Sequence, residues 1–390
     1  MAANTNATQS IMEINVLMLG GRRCGKTSIL AAMQECFDNM FGNTDLTIAP
    51  ADAETMMKLD EKREELKSYY LGDKYFVPDD NATSEYAYYN FYISLKSKKA
   101  SRVKLKFTDF NGEFMDEAAK IDFDNGEVAN LVKESDVIMV AIDTPYLMEA
   151  LPDDDIESVG LYNNRKNKCT KIDGLIRNCF QADKTTREKM IIFVPLKCEK
   201  YYWSRSAGNP FPNDLAITAI RLKAAFGNLL EYLTQENNRR FYEVAITPIM
   251  TMGNVIFSGF KREINPDTGE REYIMNKIYN YPLMAEYQVR ETASQDKVTK
   301  PAPKFCEQPF IYVILYMLRL TQKQLSAKEK AGIPGLNFLV NAAKKALGYA
   351  FAEDFAAQEA TLLKNIKTNR PPHQECGFEI ITDPIRLEQY

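Results

Sequence analysis

Apolar residues recur along this chain in two different rhythms. Continuous apolar runs predict strands of the kind that is buried on both faces of a parallel sheet. These runs lie near 12–19, 137–142, 190–195 and 242–248. Segments with helical periodicity accompany them, notably at 26–41, 171–180 and 214–233. Because strands and helices alternate, we expect right-handed βαβ crossovers and a three-layer α/β domain with a mostly parallel sheet.

Strict alternation of apolar and polar residues marks one further pair of strands. The first, 86–95, is aromatic and β-branched, and the second, 102–107, alternates apolar residues with three basic ones. A turn at 97–101 separates the two, so we expect an antiparallel hairpin. The basic row should lie on the wetter face, where it is either simply solvated or docks an acidic partner.

Interruptions of these hydrophobicity patterns predict the boundaries of domains and insertions. Residues 1–10 are small and polar and are predicted to be disordered, 11–325 to form the α/β domain, and 326–390 to form a helical C-terminal extension. The domain should carry three insertions, at about 42–84, 146–170 and 253–304. The apolar surface of the extension is expected to pack on the domain, with a partner-helix site and, least favoured, membrane contact as the alternatives.

Smaller elements are predicted within and beside these insertions. A helix at 51–71 has a charged middle, 60–65, which indicates a solvated face rather than a binding site. A hairpin should turn at 265–269. A strongly apolar helix at 305–320 should close the domain.

Composition and charge narrow the possible functions. A net charge of −4 argues against broad binding to nucleic acid or to an anionic membrane. The longest strongly apolar stretch, 310–318, is too short to span a bilayer, and no signal peptide is recognisable, so we expect a cytoplasmic protein without stable membrane anchoring. His373 is the only histidine, which nearly excludes histidine-based catalysis. The seven cysteines lack paired spacing and are expected to be buried free thiols.

Residues 20–27 match the phosphate-binding pattern G-x-x-x-x-G-K-[ST] between a predicted strand and a predicted helix. The loop and its next residue are Gly20, Gly21, Arg22, Arg23, Cys24, Gly25, Lys26, Thr27 and Ser28. In such a loop, backbone N–H groups and the lysine bind phosphates, and the threonine hydroxyl can bind Mg²⁺. The helix that follows directs its positive end at the same anion. The sequence therefore predicts triphosphate binding; a glycine turn followed by an exposed lysine is the alternative.

A second motif, Asp109-Phe110-Asn111-Gly112, ends the second hairpin strand, and with it the chain resembles the P-loop GTPases. The resemblance implies that Asp109 holds Mg²⁺ through water and that the N–H of Gly112 senses the γ-phosphate. It also suggests Thr83 as the switch threonine that meets Mg²⁺ when triphosphate is bound. Asp109 could instead cap the next helix, and Thr83 could be only a turn residue.

The base-reading motif of that family, Asn-Lys-x-Asp, is altered here to Leu196-Lys197-Cys198-Glu199. By resemblance, Lys197 lies over the base and Glu199 accepts hydrogen bonds from the guanine edge. Thr251 belongs to the segment whose backbone meets the base oxygen. The missing asparagine removes a brace between the base segment and the phosphate loop, so guanine is the expected base and adenine the alternative.

Two further residues bear on hydrolysis. Glu113 occupies the position where Ras-like members carry a water-orienting glutamine, and it adds negative charge beside the triphosphate. Arg23 stands where guanylate-binding proteins, which the loop resembles here, carry an internal arginine finger. The resemblance implies that Arg23 could stabilise the transition state alongside Lys26. Outward-facing side chains are the alternative for Arg23 and Glu113.

The large insertions, the altered base motif and residues 305–309 resemble the divergent bacterial GTPases called double-GTPases. The resemblance covers residue 14 to about residue 320. It implies a molecular switch that binds and hydrolyses GTP to GDP with Mg²⁺ and signals its nucleotide state to a protein effector or regulator. Two alternatives stay open: a nucleotide-clamped scaffold with little turnover, and an ATP-using P-loop enzyme.

Overall fold

A computed structural model describes most of the chain. The described residues are 12–41, 44–72, 75–78, 86–96, 102–110, 112, 126–152, 154, 156–182, 188–203, 214–277, 280–290, 300–316 and 379–382. The predicted disordered start and nearly all of the predicted C-terminal extension lie outside these ranges.

The strands of the described residues occupy these ranges: β1 Met12–Gly20, β2 Leu46–Pro50, β3 Tyr75–Phe76, β4 Ala87–Leu95, β5 Arg102–Asp109, β6 Val137–Asp143, β7 Lys189–Leu196, β8 Tyr242–Ile246, β9 Val255–Phe260, β10 Arg262–Ile264, β11 Arg271–Tyr273, β12 Ala285–Val289 and β13 Glu379–Thr382. The helices are α1 Lys26–Phe41, α2 Ala53–Leu71, α3 Glu127–Glu134, α4 Thr144–Met148, α5 Ile156–Asn167, α6 Cys169–Ala182, α7 Glu199–Trp203, α8 Leu215–Ala225 and α9 Gly227–Thr234. Residues 308–316 are also helical.

A central sheet has the strand order β13-β8-β7-β6-β1-β5-β4-β2. β1 pairs in parallel with β5 and β6, and β7 and β8 continue the parallel part. β4 runs antiparallel to β5, so the predicted hairpin is present. The prediction of an α/β P-loop fold with a mostly parallel sheet and a hairpin strand is confirmed. β2 and β13 add antiparallel pairs at the two edges.

Helices cover both faces of this sheet. Every residue of β6 and β7 is buried, as expected for strands with apolar residues on both sides. One face packs against α1 and the helical residues 308–316, where the rings of Phe107 and Phe310 stack at 5.3 Å. The other face packs against α3, α6, α8 and α9. This arrangement brings the carboxyl ends of β1, β6 and β7 to one edge, where ligands bind in such folds.

Three details differ from the sequence-based expectations. β2 belongs to the central sheet although it lies inside the first predicted insertion. The predicted helix at 214–233 is two helices that meet at Phe226, which is buried against Phe193, with the poor helix former Gly227 next to it. Pieces of two predicted insertions together form a three-stranded sheet in the order β3-β12-β9. The hairpin predicted to turn at 265–269 is present as β10 and β11.

Two predictions from composition meet the described residues. The six cysteines there are all free and buried, as predicted. None of the described helices has both the length and the apolar character needed to cross a membrane.

Candidate functional site

The predicted phosphate loop connects β1 to α1. Lys26 begins α1 with a buried side chain, and its Nζ donates to the carbonyl oxygens of Gly20 at 3.5 Å and Gly21 at 3.4 Å. Arg23 and Gly25 have positive φ angles of 60° and 106°. This curled backbone is the feature that turns N–H groups toward an anion.

Two glycines fix the loop by close contact. A Cβ on Gly21 would lie 2.0 Å from the carbonyl oxygen of Lys166, at the end of α5. A Cβ on Gly112 would lie 2.4 Å from the amide nitrogen of Arg22. The predicted γ-phosphate sensor Gly112 is therefore packed directly on the phosphate loop, where no larger residue fits.

The predicted metal ligands Thr27 and Asp109 meet. Thr27 Oγ1 donates to Asp109 Oδ2 at 2.6 Å, and Asp109 Oδ1 lies 4.0 Å from Lys26 Nζ. Burial raises the pKa of Asp109, while Lys26, Thr27 and Lys62 act in the opposite direction. Thr83, the third predicted metal ligand, lies outside the described residues.

This pair fits a hard divalent cation. Among the described residues, Asp109 Oδ1 is a buried oxygen that accepts no hydrogen bond. The described residues contain no cluster of three or more histidine, cysteine or acidic side chains that could cage a metal. Mg²⁺ is commonly held by one or two carboxylates with a hydroxyl, waters and substrate phosphates, so Thr27 and Asp109 suit it.

On the other side of the loop, Lys197 binds the phosphate loop directly. Its Nζ donates to the carbonyl oxygen of Arg23 at 3.2 Å and to Asp143 Oδ2 at 2.8 Å. Asp143 in turn is held by Asn167, which accepts from its N–H at 2.7 Å and donates to its carbonyl oxygen. The base segment is thus braced to the loop without the missing asparagine. Asp143 and Asn167 were not predicted, although Asp143 ends a buried strand at the ligand-binding edge.

Glu199 shapes the segment that follows β8. Its Oε1 accepts from the N–H groups of Met252 and Gly253, both at 3.0 Å. Burial raises the pKa of Glu199 to about 7 despite these bonds and the charge of Lys197. Thr251 is buried beside Met252, so the three predicted base-site residues line one cavity. Oε1 of Glu199, the residue expected to bind the base, is therefore already hydrogen-bonded to backbone N–H groups.

The two loop arginines differ in position. Arg22 is exposed, whereas Arg23 is half-buried and lines the cavity. Burial lowers the pKa of Lys166 to about 8, and the charges of Lys197 and Arg23 act in the same direction against that of Asp143. Glu113 lies outside the described residues, so its predicted role stays a prediction.

Helix α2 forms a wall of the same cavity. Four residues at helical spacing line it: Lys62, Glu65, Leu66 and Tyr69. Lys62 and Glu65, which belong to the charged stretch predicted to form a solvated face, keep 23% and 37% exposure and also line the cavity. The 3.6-residue period turns both toward the cavity, where Lys62 Nζ pairs with Glu65 Oε1 at 2.6 Å.

The three-stranded sheet forms a further part of the cavity wall. Phe76 of β3, Val255 of β9 and Tyr287 of β12 line the cavity there. The Tyr69 and Phe76 rings stack with centroids 4.6 Å apart. No motif in the sequence marked these residues, because their common feature is the place where distant segments meet.

Comparison with known proteins gives one family. The model of the family described as Double-GTPase 2 matches residues 14–247. No curated protein sequence matches the chain. The family match thus spans the phosphate loop, the Asp109 motif and the Lys197–Glu199 segment.

Two similar solved structures are of the Ski7 GTPase-like domain of S. cerevisiae. The form bound to GTP is 14% identical, with 72% of this chain and 50% of that chain covered and a TM-score of 0.30. The form bound to GDP and inorganic phosphate is 13% identical, with 70% and 48% covered and a TM-score of 0.29. The chain spans about half the length of these structures.

Proposed function

The chain belongs to the Double-GTPase 2 family, and from this premise we propose that it binds and hydrolyses GTP with Mg²⁺ and acts as a molecular switch. The observation that carries the proposal is one cavity that joins Lys26, Thr27 and Asp109 to Lys197 and Glu199. A nucleotide needs both ends, because its phosphates and its base lie at opposite ends of the molecule.

The phosphate end would bind through the loop. Lys26 Nζ is held by two long contacts to loop carbonyls, which a phosphate oxygen can replace or supplement. Ser28 lines the cavity in the first turn of α1, whose positive end faces the same place. Bound Mg²⁺, which Thr27 and Asp109 would hold, neutralises phosphate charge during transfer.

The base end would read guanine through Glu199 and Lys197. Oε1 of Glu199 is occupied by backbone N–H groups, so its second oxygen would accept from the base. Lys197 is fixed by Arg23 and Asp143, which favours one orientation of its aliphatic stem toward the base. The N–H groups beside Thr251 would meet the base oxygen.

Hydrolysis would depend on charge stabilisation in the loop. Arg23 lines the cavity, and its guanidinium would stabilise the charge that develops on the phosphates. Glu113 is proposed to take part in placing the attacking water. Loss or gain of the γ-phosphate would act on Gly112, and the segments around Gly112 and Thr83 would present the nucleotide state to a protein effector.

The test compares nucleotides on one protein. GTP, ATP and their non-hydrolysable analogues are titrated with Mg²⁺, and phosphate release is followed. GTP-selective binding with turnover supports the proposal, whereas binding without turnover indicates a nucleotide-clamped scaffold and ATP selectivity an ATP-using enzyme.

A single-turnover assay separates binding from catalysis in the loop. Arg23→Ala should slow phosphate release while retaining nucleotide, because a transition-state contact is lost. An unchanged rate in this variant excludes Arg23 as an internal finger.

A further inference from the structure

Helix α2 lines the cavity with four residues on one of its faces. Leu66 and Tyr69 belong to the apolar cluster that contains Met252, and Tyr69 stacks on Phe76. Lys62 and Glu65 lie one turn earlier and line the same cavity as Thr27 and Asp109. Lys58, one turn before Lys62 on the same helix, has its Nζ 5.7 Å from the ring centroid of Tyr89 on β4. β4 pairs with β5, which ends at Asp109, so this part of α2 lies on the phosphate side.

Lys62 is held in an ion pair that can be exchanged. Its Nζ lies 2.6 Å from Glu65 Oε1, and the side chains are 23% and 37% exposed. Tyr69 also donates to the same carboxylate oxygen at 3.2 Å. Pairs of this exposure are weak in water, so a more highly charged anion can replace Glu65 as the partner of Lys62.

We propose that Lys62 is a phosphate-binding residue supplied by the inserted helix α2, and that its ammonium leaves Glu65 for the terminal phosphate when triphosphate occupies the cavity. This role rests on the proposed function. A terminal phosphate carries more negative charge than one carboxylate, and it repels Glu65 at the same time. Lys62 thus favours triphosphate over diphosphate.

The helix is anchored firmly enough for this exchange to occur by side-chain rotation. Arg63 Nη2 pairs with Glu35 of α1 at 2.9 Å. Tyr70 donates from its hydroxyl to the carbonyl oxygen of Met252 at 2.6 Å, which ties α2 to the segment that follows β8. Asp52 caps the helix by accepting from the N–H of Thr55. Substitution of Lys62 should therefore change nucleotide affinity without moving the helix.

The test measures the affinities of GDP and of the non-hydrolysable analogue GppNHp for the full chain with Mg²⁺. Lys62→Ala should weaken GppNHp roughly tenfold and leave GDP within about twofold, since one charged contact to the terminal phosphate is lost. Lys67→Ala is the matched control. Lys67 also pairs with an acidic residue three positions away on α2, Glu64 at 2.8 Å, but it does not line the cavity.

Glu65→Gln should act in the opposite direction and tighten GppNHp relative to GDP, because it releases Lys62 and removes a repulsive charge. If the ratio of GppNHp affinity to GDP affinity is unchanged in Lys62→Ala, or changes equally in Lys67→Ala, the proposed role of Lys62 is wrong. The proposed nucleotide binding is not affected by that result. Failure of the wild-type chain to bind any nucleotide overturns the proposed function and this role with it.

Discussion

The phosphate loop and the α2 wall face each other across one cavity, yet they are built in opposite ways. The loop is one continuous stretch in which Gly25 permits the backbone path, Gly21 permits close packing against Lys166, and Lys26 bonds back to the loop carbonyls. The wall is assembled from α2, β3, β9 and β12, which come from separate parts of the chain. A local motif supplies chemistry, and a distant assembly supplies the shape around it.

The largest expected effect is at the loop. Lys26→Ala should reduce affinity for GTP by at least about a hundredfold, because the ammonium that faces the phosphates is lost. Isothermal titration calorimetry measures this, with thermal unfolding as a check that the variant is folded. Retention of wild-type affinity would show that the α2 wall, rather than the loop, dominates binding.

The packing of the loop can be tested at Gly112. Gly112→Ala places a Cβ 2.4 Å from the amide nitrogen of Arg22 and should destabilise the protein by about 1–3 kcal/mol while weakening GTP binding. Gly174→Ala in α6 is the control, because a Cβ there meets nothing within 4 Å and should be neutral or slightly stabilising. Chemical unfolding gives both values. Equal stability of the two variants would contradict the close packing.

The base end should depend on pH through Glu199. Its raised pKa of about 7 means that the ionised, accepting form is lost as the pH falls through 7. From about pH 8 to about pH 6, the preference for GTP over ITP, which lacks the 2-amino donor, should fall roughly tenfold. Glu199→Gln should remove this dependence. A pH-independent ratio in the wild-type chain would exclude Glu199 as the base reader.

The smallest expected effect concerns the tie between the two regions. Tyr70→Phe removes the bond to the carbonyl oxygen of Met252 and should cost about 1 kcal/mol of stability, with a slight loss of GTP affinity. Tyr75→Phe is the control, because Tyr75 is 50% exposed. Urea unfolding compares the two. Identical midpoints would show that α2 is held without this bond.

The sequence predicts the strands around the phosphate loop and the loop itself, because both follow from local patterns. The buried strands β6 and β7 are continuous apolar runs, and the loop motif sets its own geometry within eight residues. Pairing of β4 with β5 also follows from local alternation.

The wall could not be predicted in the same way. Lys62 and Glu65 have the charged pattern of a solvated helix. Nothing in that pattern indicates that these two residues line a cavity. Lys197 is held by Asp143, which lies 54 positions away in the sequence. Because a local motif does not show such a contact, the altered base motif suggested only that the brace to the phosphate loop is lost. Long-range contacts of this kind are fixed by tertiary packing rather than by local pattern.

The edge strand β13 is synthesised last of the strands in the central sheet. β8 pairs on one side with β7 and on the other with β13, which lies at residues 379–382. During synthesis from the N-terminus, β8 emerges long before its second partner does. Among the described residues, β13 supplies the pairing on this edge of β8, so a product that ends before residue 379 lacks these hydrogen bonds and presents an edge on which other strands can pair.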